Sequence, residues 1–184
     1  MDRNCPDYYI EPSSEVSIEE THKLISYIRG LSPDPGTALV QPILTPRFAI
    51  ACTPALLSSL GELARADPEL TIQTHISEND AEIQFTKNLF PAHSLPPAPH
   101  GHQRKHITYA DVYDAYGLLR ENTVLAHAVH LEPDEVELIK ERNAGISHCP
   151  TSNFNLRSGC TRVGMLLDKG IKVSLFPRTR RTTL

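Results

Sequence analysis

The sequence predicts an α/β fold built on parallel strands, and three observations predict it. Short apolar runs rich in β-branched residues recur at 39–47, 70–75, 123–128, 145–149 and 171–175. Between them lie segments with helical apolar spacing, several opened by capping residues. The connections are short, so a strand–helix unit repeats five times, less the final helix. Such alternation makes parallel strands joined by crossover helices. Two architectures satisfy it: an open doubly wound sheet, or an arc of a (β/α)8 barrel. No Gly-rich phosphate loop follows any strand, which weakens the nucleotide-binding version of the first.

Each element has its own justification. The residues to about Glu15 are polar and read as a lead-in loop. Ser17-Ile18-Glu19-Glu20 has a capping-box pattern, and Ile18, Leu24, Ile25 and Ile28 predict a helix stopping at Gly30. A Ser/Pro/Gly turn follows, then a strand from Leu39 to Arg47. Thr53-Pro54 supplies an N-cap and a proline at the first helical position, ahead of the stripe Leu56, Leu57, Leu60, Leu63 and Ala64. Leu70 to His75 is the second strand, and a helix begins at Ser77 or Glu78 and runs to about Phe90. Pro91 to His106 interrupts the rhythm with prolines and four histidines. Thr108, with Asp111 three residues on, starts a helix through Leu119. Thr123 to Ala128, Gly145 to Cys149 and Ile171 to Leu175 are strands, separated by helices at Pro133 to Asn143 and Val163 to Asp168.

Composition narrows the class. A chain of 184 residues, 40% hydrophobic and 22% charged, can bury one domain's core, which excludes wholesale disorder. A net charge of −4 gives no electrostatic footprint for nucleic acid. No apolar run approaches the roughly 20 residues that cross a bilayer, and acids and tyrosines soon after Met1 do not make a secretory signal. The four cysteines form no C-x-x-C pair. The expectation is a cytoplasmic protein without membrane or nucleic-acid partners.

In a parallel β/α fold, functional groups collect at the carboxyl ends of the strands. Those ends carry Arg47, His75 with Glu78, His127 and His148. Thr74-His75-Ile76-Ser77-Glu78 suits metal-assisted hydrolysis, with an imidazole ligand and a carboxylate close enough to move protons. It equally suits an exposed histidine followed by a first-turn acid. Taken alone, His127 and His148 read as hydrogen-bonded strand ends, and Cys149 as a small buried residue. His93, His100, His102 and His106 read as a solvated loop. The zinc site of cytidine deaminases is excluded, since it requires H-x-E and then P-C-x-x-C.

Thr45-Pro46-Arg47-Phe48, Thr74-His75-Ile76-Ser77-Glu78, Ala126-His127 and Ser147-His148-Cys149-Pro150-Thr151-Ser152-Asn153 stand in the order and spacing of the guanine deaminases. These belong to the metal-dependent amidohydrolase superfamily, and the resemblance covers about Asp2 to Leu175. H-x-x-E and S-H-C-P-x-S-N are shared across many amidohydrolases, while P-R-F narrows the match. The resemblance implies a partial (β/α)8 barrel of about five of the eight units over 1–175, with 176–184 as a divergent basic tail. It implies zinc-dependent hydrolysis of guanine to xanthine and ammonia, in purine catabolism. By position, His75 becomes a zinc ligand near the substrate, and Glu78 a substrate-contacting proton shuttle. His127 becomes the group that holds or polarises hydroxide, Arg47 and Phe48 the purine clamp, and His148 rim support beside Asn153. Arginine's planar fork matches the O6/N7 edge of guanine.

The sequence also departs from that family. No H-x-H stands near the amino terminus; His100 and His102 lie after the wrong strand. No Gly-Thr-Asp follows Val173-Ser174-Leu175. One ligand of about four neither holds zinc tightly nor sustains turnover, so this chain alone is expected to be inactive. Two alternatives stay open: a non-catalytic form that binds a partner or a full-length subunit, and an amidohydrolase for another amino-purine, triazine or pterin. The expected small-molecule partner is guanine, and the family's homodimer is compatible with it.

Overall fold

The computed structural model describes residues 1–31, 38–97 and 106–175. Five strands, β1 (Ile43–Leu44), β2 (Thr71–Ile76), β3 (Thr123–His127), β4 (Gly145–His148) and β5 (Lys172–Leu175), form one sheet. Their spatial order is β1-β2-β3-β4-β5, parallel throughout. A doubly wound sheet reverses its order at a switch point; this one never does, so it is a barrel arc. His75 pairs with Ala126, Ala126 with Ser147 and Ser147 with Ser174, which brings the carboxyl ends level.

Among the described residues, seven α-helices accompany the strands: α1 (Ser14–Gly30), α2 (Pro54–Ala66), α3 (Asp80–Leu89), α4 (Tyr109–Ala115), α5 (Pro133–Glu141), α6 (Pro150–Asn155) and α7 (Val163–Asp168). Ile72, Leu125 and Ile146 point to the helix side and are buried with Leu56, Leu57, Leu60 and Leu138. Gln73 and Val124 face the other way and are exposed. Strand alternation therefore separates a packed outer face from an open inner one. Gly61 permits close approach of α2 to the end of α4, because a Cβ there would overlap the Tyr116 carbonyl.

Several boundaries differ from expectation. Helix α1 starts at Ser14, with the Ser13 hydroxyl accepting from Val16 N at 3.3 Å. Ser17 is buried inside it and donates to Glu11 Oε2 at 2.8 Å, while Glu19 and Glu20 pair with Lys23, so the capping box fails there. Strand β1 is only two residues long, since Pro42 and Pro46 have no N–H for a ladder. Helix α3 begins at Asp80, not at Ser77 or Glu78. Asn79 caps it in a capping box with Glu82, and Ser77 has a left-handed φ of 48°. Helix α4 stops at Ala115, ahead of Gly117 at φ 71°. The sequence reading missed α6, a short helix opened by Pro150. Cys149 is half-buried rather than buried. His93 is exposed in a single 3-10 turn, and His106 reaches Glu132 Oε2 at 2.6 Å. His100, His102 and the tail 176–184 lie outside the described residues.

Candidate active site

The site is assembled at the ends of β1, β2 and β3. Arg47 follows β1, and its carbonyl accepts from His75 N–H at 3.1 Å, continuing the ladder past β1. His75 Nδ1 lies 2.5 Å from the same carbonyl oxygen. A carbonyl only accepts, so Nδ1 carries the proton and Nε2 keeps its lone pair. Phe48 meets the His75 ring edge-on with centroids 6.4 Å apart, and the Arg47 guanidinium carbon stands 5.4 Å from the Phe48 centroid.

His127 is placed by an unusual backbone. Strict alternation would send it to the helix side with Thr123 and Leu125. Instead, φ values of 74° at His127 and 52° at Ala128 break the alternation at the strand end. Left-handed backbone costs a non-glycine residue about 1–2 kcal/mol. Cross-links oppose that cost: Ala128 N–H donates to the Ile76 carbonyl at 3.0 Å, and Val129 and His130 N–H both donate to the Ser77 carbonyl at 3.1 Å. The His127 ring stacks on His75 at 5.1 Å, only 22° from parallel.

A closed hydrogen-bond circuit fixes the tautomer of His127. Its Nδ1–H donates to Asn153 Oδ1 at 2.8 Å. The Asn153 amide donates to Thr161 Oγ1 at 3.5 Å, and that hydroxyl donates to the His127 carbonyl at 2.6 Å. His148 Nδ1 donates to the same Thr161 oxygen at 3.1 Å. Asn153 thus serves His127 directly, whereas the sequence had placed it beside His148. Thr161 carried no signal in the sequence, because only the fold returns it to the strand ends.

Glu78 follows the left-handed Ser77 and precedes the α3 cap. Its backbone N–H donates to Glu82 Oε2 at 2.8 Å. Burial pushes the Glu82 carboxyl above its usual range. Glu78 Oε1 lies 3.3 Å from His127 Nδ1 but is buried without a hydrogen bond. Contacts therefore run from Arg47 through Phe48, His75 and His127 to Glu78, bringing all five predicted site residues together. Below them, Thr45, Gln73, Ala126, Ser147 and Cys149 line part of an inner-face cavity of about 390 Å³.

The donor set suits a metal ion only in part. The free Nε2 of His75, whose other nitrogen is anchored on a carbonyl, has the arrangement of a metal-binding histidine. The unsatisfied buried oxygen of Glu78 fits a carboxylate that awaits a water or substrate proton. Among the described residues, however, no three His, Cys, Asp or Glu side chains could hold a metal ion. These residues fit part of a zinc site. No helix among the described residues is long and apolar enough to cross a membrane.

Comparison with known proteins bears on the fold and the family. A protein named "Probable guanine deaminase" from Schizosaccharomyces pombe is 53% identical over 95% of this chain and 30% of its own length. Guanine deaminase of Dictyostelium discoideum is 41% identical over 95% of this chain and 35% of its own length. The crystal structure of guanine deaminase from C. acetobutylicum, with guanine bound in the active site, superposes with a TM-score of 0.81. It is 39% identical, over 95% of this chain and 37% of that one. Triazine hydrolases superpose too, but at 21–22% identity they share only the fold. The chain spans about a third of the length of the curated relatives it matches. The profile of the Amidohydrolase family matches residues 1–176. The chain is a homologue of the guanine deaminases and belongs to the amidohydrolase family.

Proposed function

We propose that this chain carries the purine-binding and proton-transfer part of a zinc-dependent guanine deaminase, which converts guanine and water to xanthine and ammonia. The observation that carries the reading is the unbroken contact line from Arg47 to Glu78. Arg47 engages the O6/N7 edge of guanine through its two-pronged donor set, and Phe48 offers an aromatic surface to the ring. Adenine presents a donor where guanine has O6, so a guanidinium fixed there discriminates by about 1–3 kcal/mol. His75 contributes Nε2 as one zinc donor. Bound zinc supplies Lewis acidity and lowers the pKa of its water to about 7. Glu78 would take one proton from the attacking water and pass it to the purine ring. It would then move the proton of the hydroxyl added at C2 to the amine, which leaves as ammonia as the C2 carbonyl forms. His127, whose Nδ1–H is held by the Asn153 circuit, turns Nε2 away from that circuit and would orient the hydroxide.

These residues supply one zinc donor of about four, so the 184-residue chain by itself is inactive in this reading. A chimera tests it, with residues 1–175 replacing the matching segment of the Schizosaccharomyces pombe relative. Guanine turnover should appear, vanish on chelation and return with zinc, while adenine is turned over about five- to 150-fold less efficiently. A folded, zinc-loaded chimera without guanine turnover would contradict the proposal.

A further inference from the structure

Tyr113, on α4, is wholly buried behind the strand ends, and none of the chemistry above uses it. A phenol hydroxyl has one proton to give and can accept two. All three capacities are engaged here. The hydroxyl donates to the His75 carbonyl at 2.8 Å, and accepts from Ala49 N–H at 3.0 Å and from the Thr74 hydroxyl at 2.9 Å. Ala49 immediately follows Arg47-Phe48 and opens the 3-10 turn Ala49–Ala51, whose first N–H has no partner within the turn. Thr74 and His75 are among the last three residues of β2. One oxygen therefore joins the backbone that carries the guanidinium to the backbone that carries the imidazole.

We propose that Tyr113 is a positioning residue, whose hydroxyl fixes the Arg47–Phe48 segment against His75 by holding the Ala49 N–H and the His75 carbonyl together. This rests on reading Arg47 and His75 as two grips on one purine. The ring is itself restrained, stacked on Tyr109 with centroids 5.5 Å apart and planes 22° from parallel. Desolvation raises the phenol's pKa well above its usual value, so the donated proton stays in place near neutrality. The consequence reaches the site through the Arg47 carbonyl. That oxygen stays on His75 Nδ1 only while the two strand ends keep their spacing, and Nδ1 contact is what leaves Nε2 free.

The test is Tyr113→Phe in the 184-residue chain, read by nitrogen NMR of the imidazole rings, amide exchange and guanine calorimetry. Exchange at Ala49 should rise about tenfold relative to α5 amides. The Nδ1–H fraction of His75 should fall while that of His127 does not, a signature that general loosening would not give. Guanine affinity should weaken by about tenfold. Unchanged Ala49 exchange and an unchanged His75 tautomer would overturn the proposal, whatever guanine does. Absence of guanine binding by the wild-type chain would count against the purine clamp instead, while the ring and amide readouts still decide Tyr113. If Tyr113→Phe does not fold, Thr74→Val removes one partner of the hydroxyl. The wild-type chain then decides: Ala49 N–H, bonded to the Tyr113 hydroxyl, should exchange about as slowly as the β2 amides. Thr74→Val should leave that protection in place, since the hydroxyl keeps both Ala49 N–H and the His75 carbonyl. An Ala49 amide that exchanges like an unbonded loop amide in the wild-type chain would overturn the proposal.

Discussion

The imidazole of His127 is where conformational strain and hydrogen bonding meet. Its left-handed backbone is unfavourable, and its Nδ1–H donates to Asn153 Oδ1, with Glu78 Oε1 3.3 Å away as the nearest alternative acceptor. Asn153→Leu should leave a buried N–H unpaired and cost about 1–3 kcal/mol, read as a lowered urea midpoint with an unchanged slope. Unchanged stability would mean that water or Glu78 replaces the amide. Arg47 is the opposite case. It is exposed, so Arg47→Ala should change folding stability by no more than about 0.5 kcal/mol. In the chimera it should nonetheless reduce the preference for guanine over adenine by about five- to 150-fold, measured as kcat/KM. Retained preference would remove Arg47 from the specificity argument.

At the level of elements, α5 carries a buried carboxyl that makes stability pH-dependent. Glu135 accepts from the N–H groups of Glu132 at 2.8 Å and Ala110 at 3.0 Å, yet desolvation pushes its pKa up to about 7. Between about 4.5 and 7 the folded chain holds a proton that the unfolded chain has released. Stability should therefore fall as pH rises through that window, by at most about 1.4 kcal/mol per unit, and level off above it. Glu132 does not interfere: its pKa is lowered by the Lys87 hydrogen bond, so its contribution is lost only as pH falls below that window. Glu135→Gln should flatten the slope in urea titrations at several pH values; an unaltered slope would assign it elsewhere.

The same elements show what a sequence can disclose. Thr53-Pro54 and Thr108 with Asp111 specified their helix starts, because a cap is a local hydrogen bond that nearby residues complete. Ser17 carried an equally good pattern but lies inside α1, where Ser13 caps first and the chain places Glu11 against the Ser17 hydroxyl. That Arg47, His75, His127 and His148 stand at strand ends followed from the strand–helix repeat. The turn of His127 toward the inner face did not, because it rests on a left-handed backbone. The pairing of Asn153 with His127 did not, nor did the reach of Tyr113 across to Ala49. Both depend on how distant elements dock, and no local spacing encodes that.

Across the whole molecule, the arc exposes what a closed barrel would enclose. β1 and β5 each pair on one side only, and Ile43 and Val124 on the inner face are 39% and 38% exposed. The site hangs over this open face, with a guanidinium at one end and a half-buried carboxyl at the other. The central claim is that this carboxyl, Glu78, moves the protons of guanine hydrolysis. The measurement that tests it most directly is guanine turnover and zinc content of Glu78→Gln in the chimera. If Glu78 is the proton shuttle, kcat should be at least about a thousandfold lower, with zinc bound at the unmutated level. Turnover within about tenfold of the unmutated chimera would contradict it.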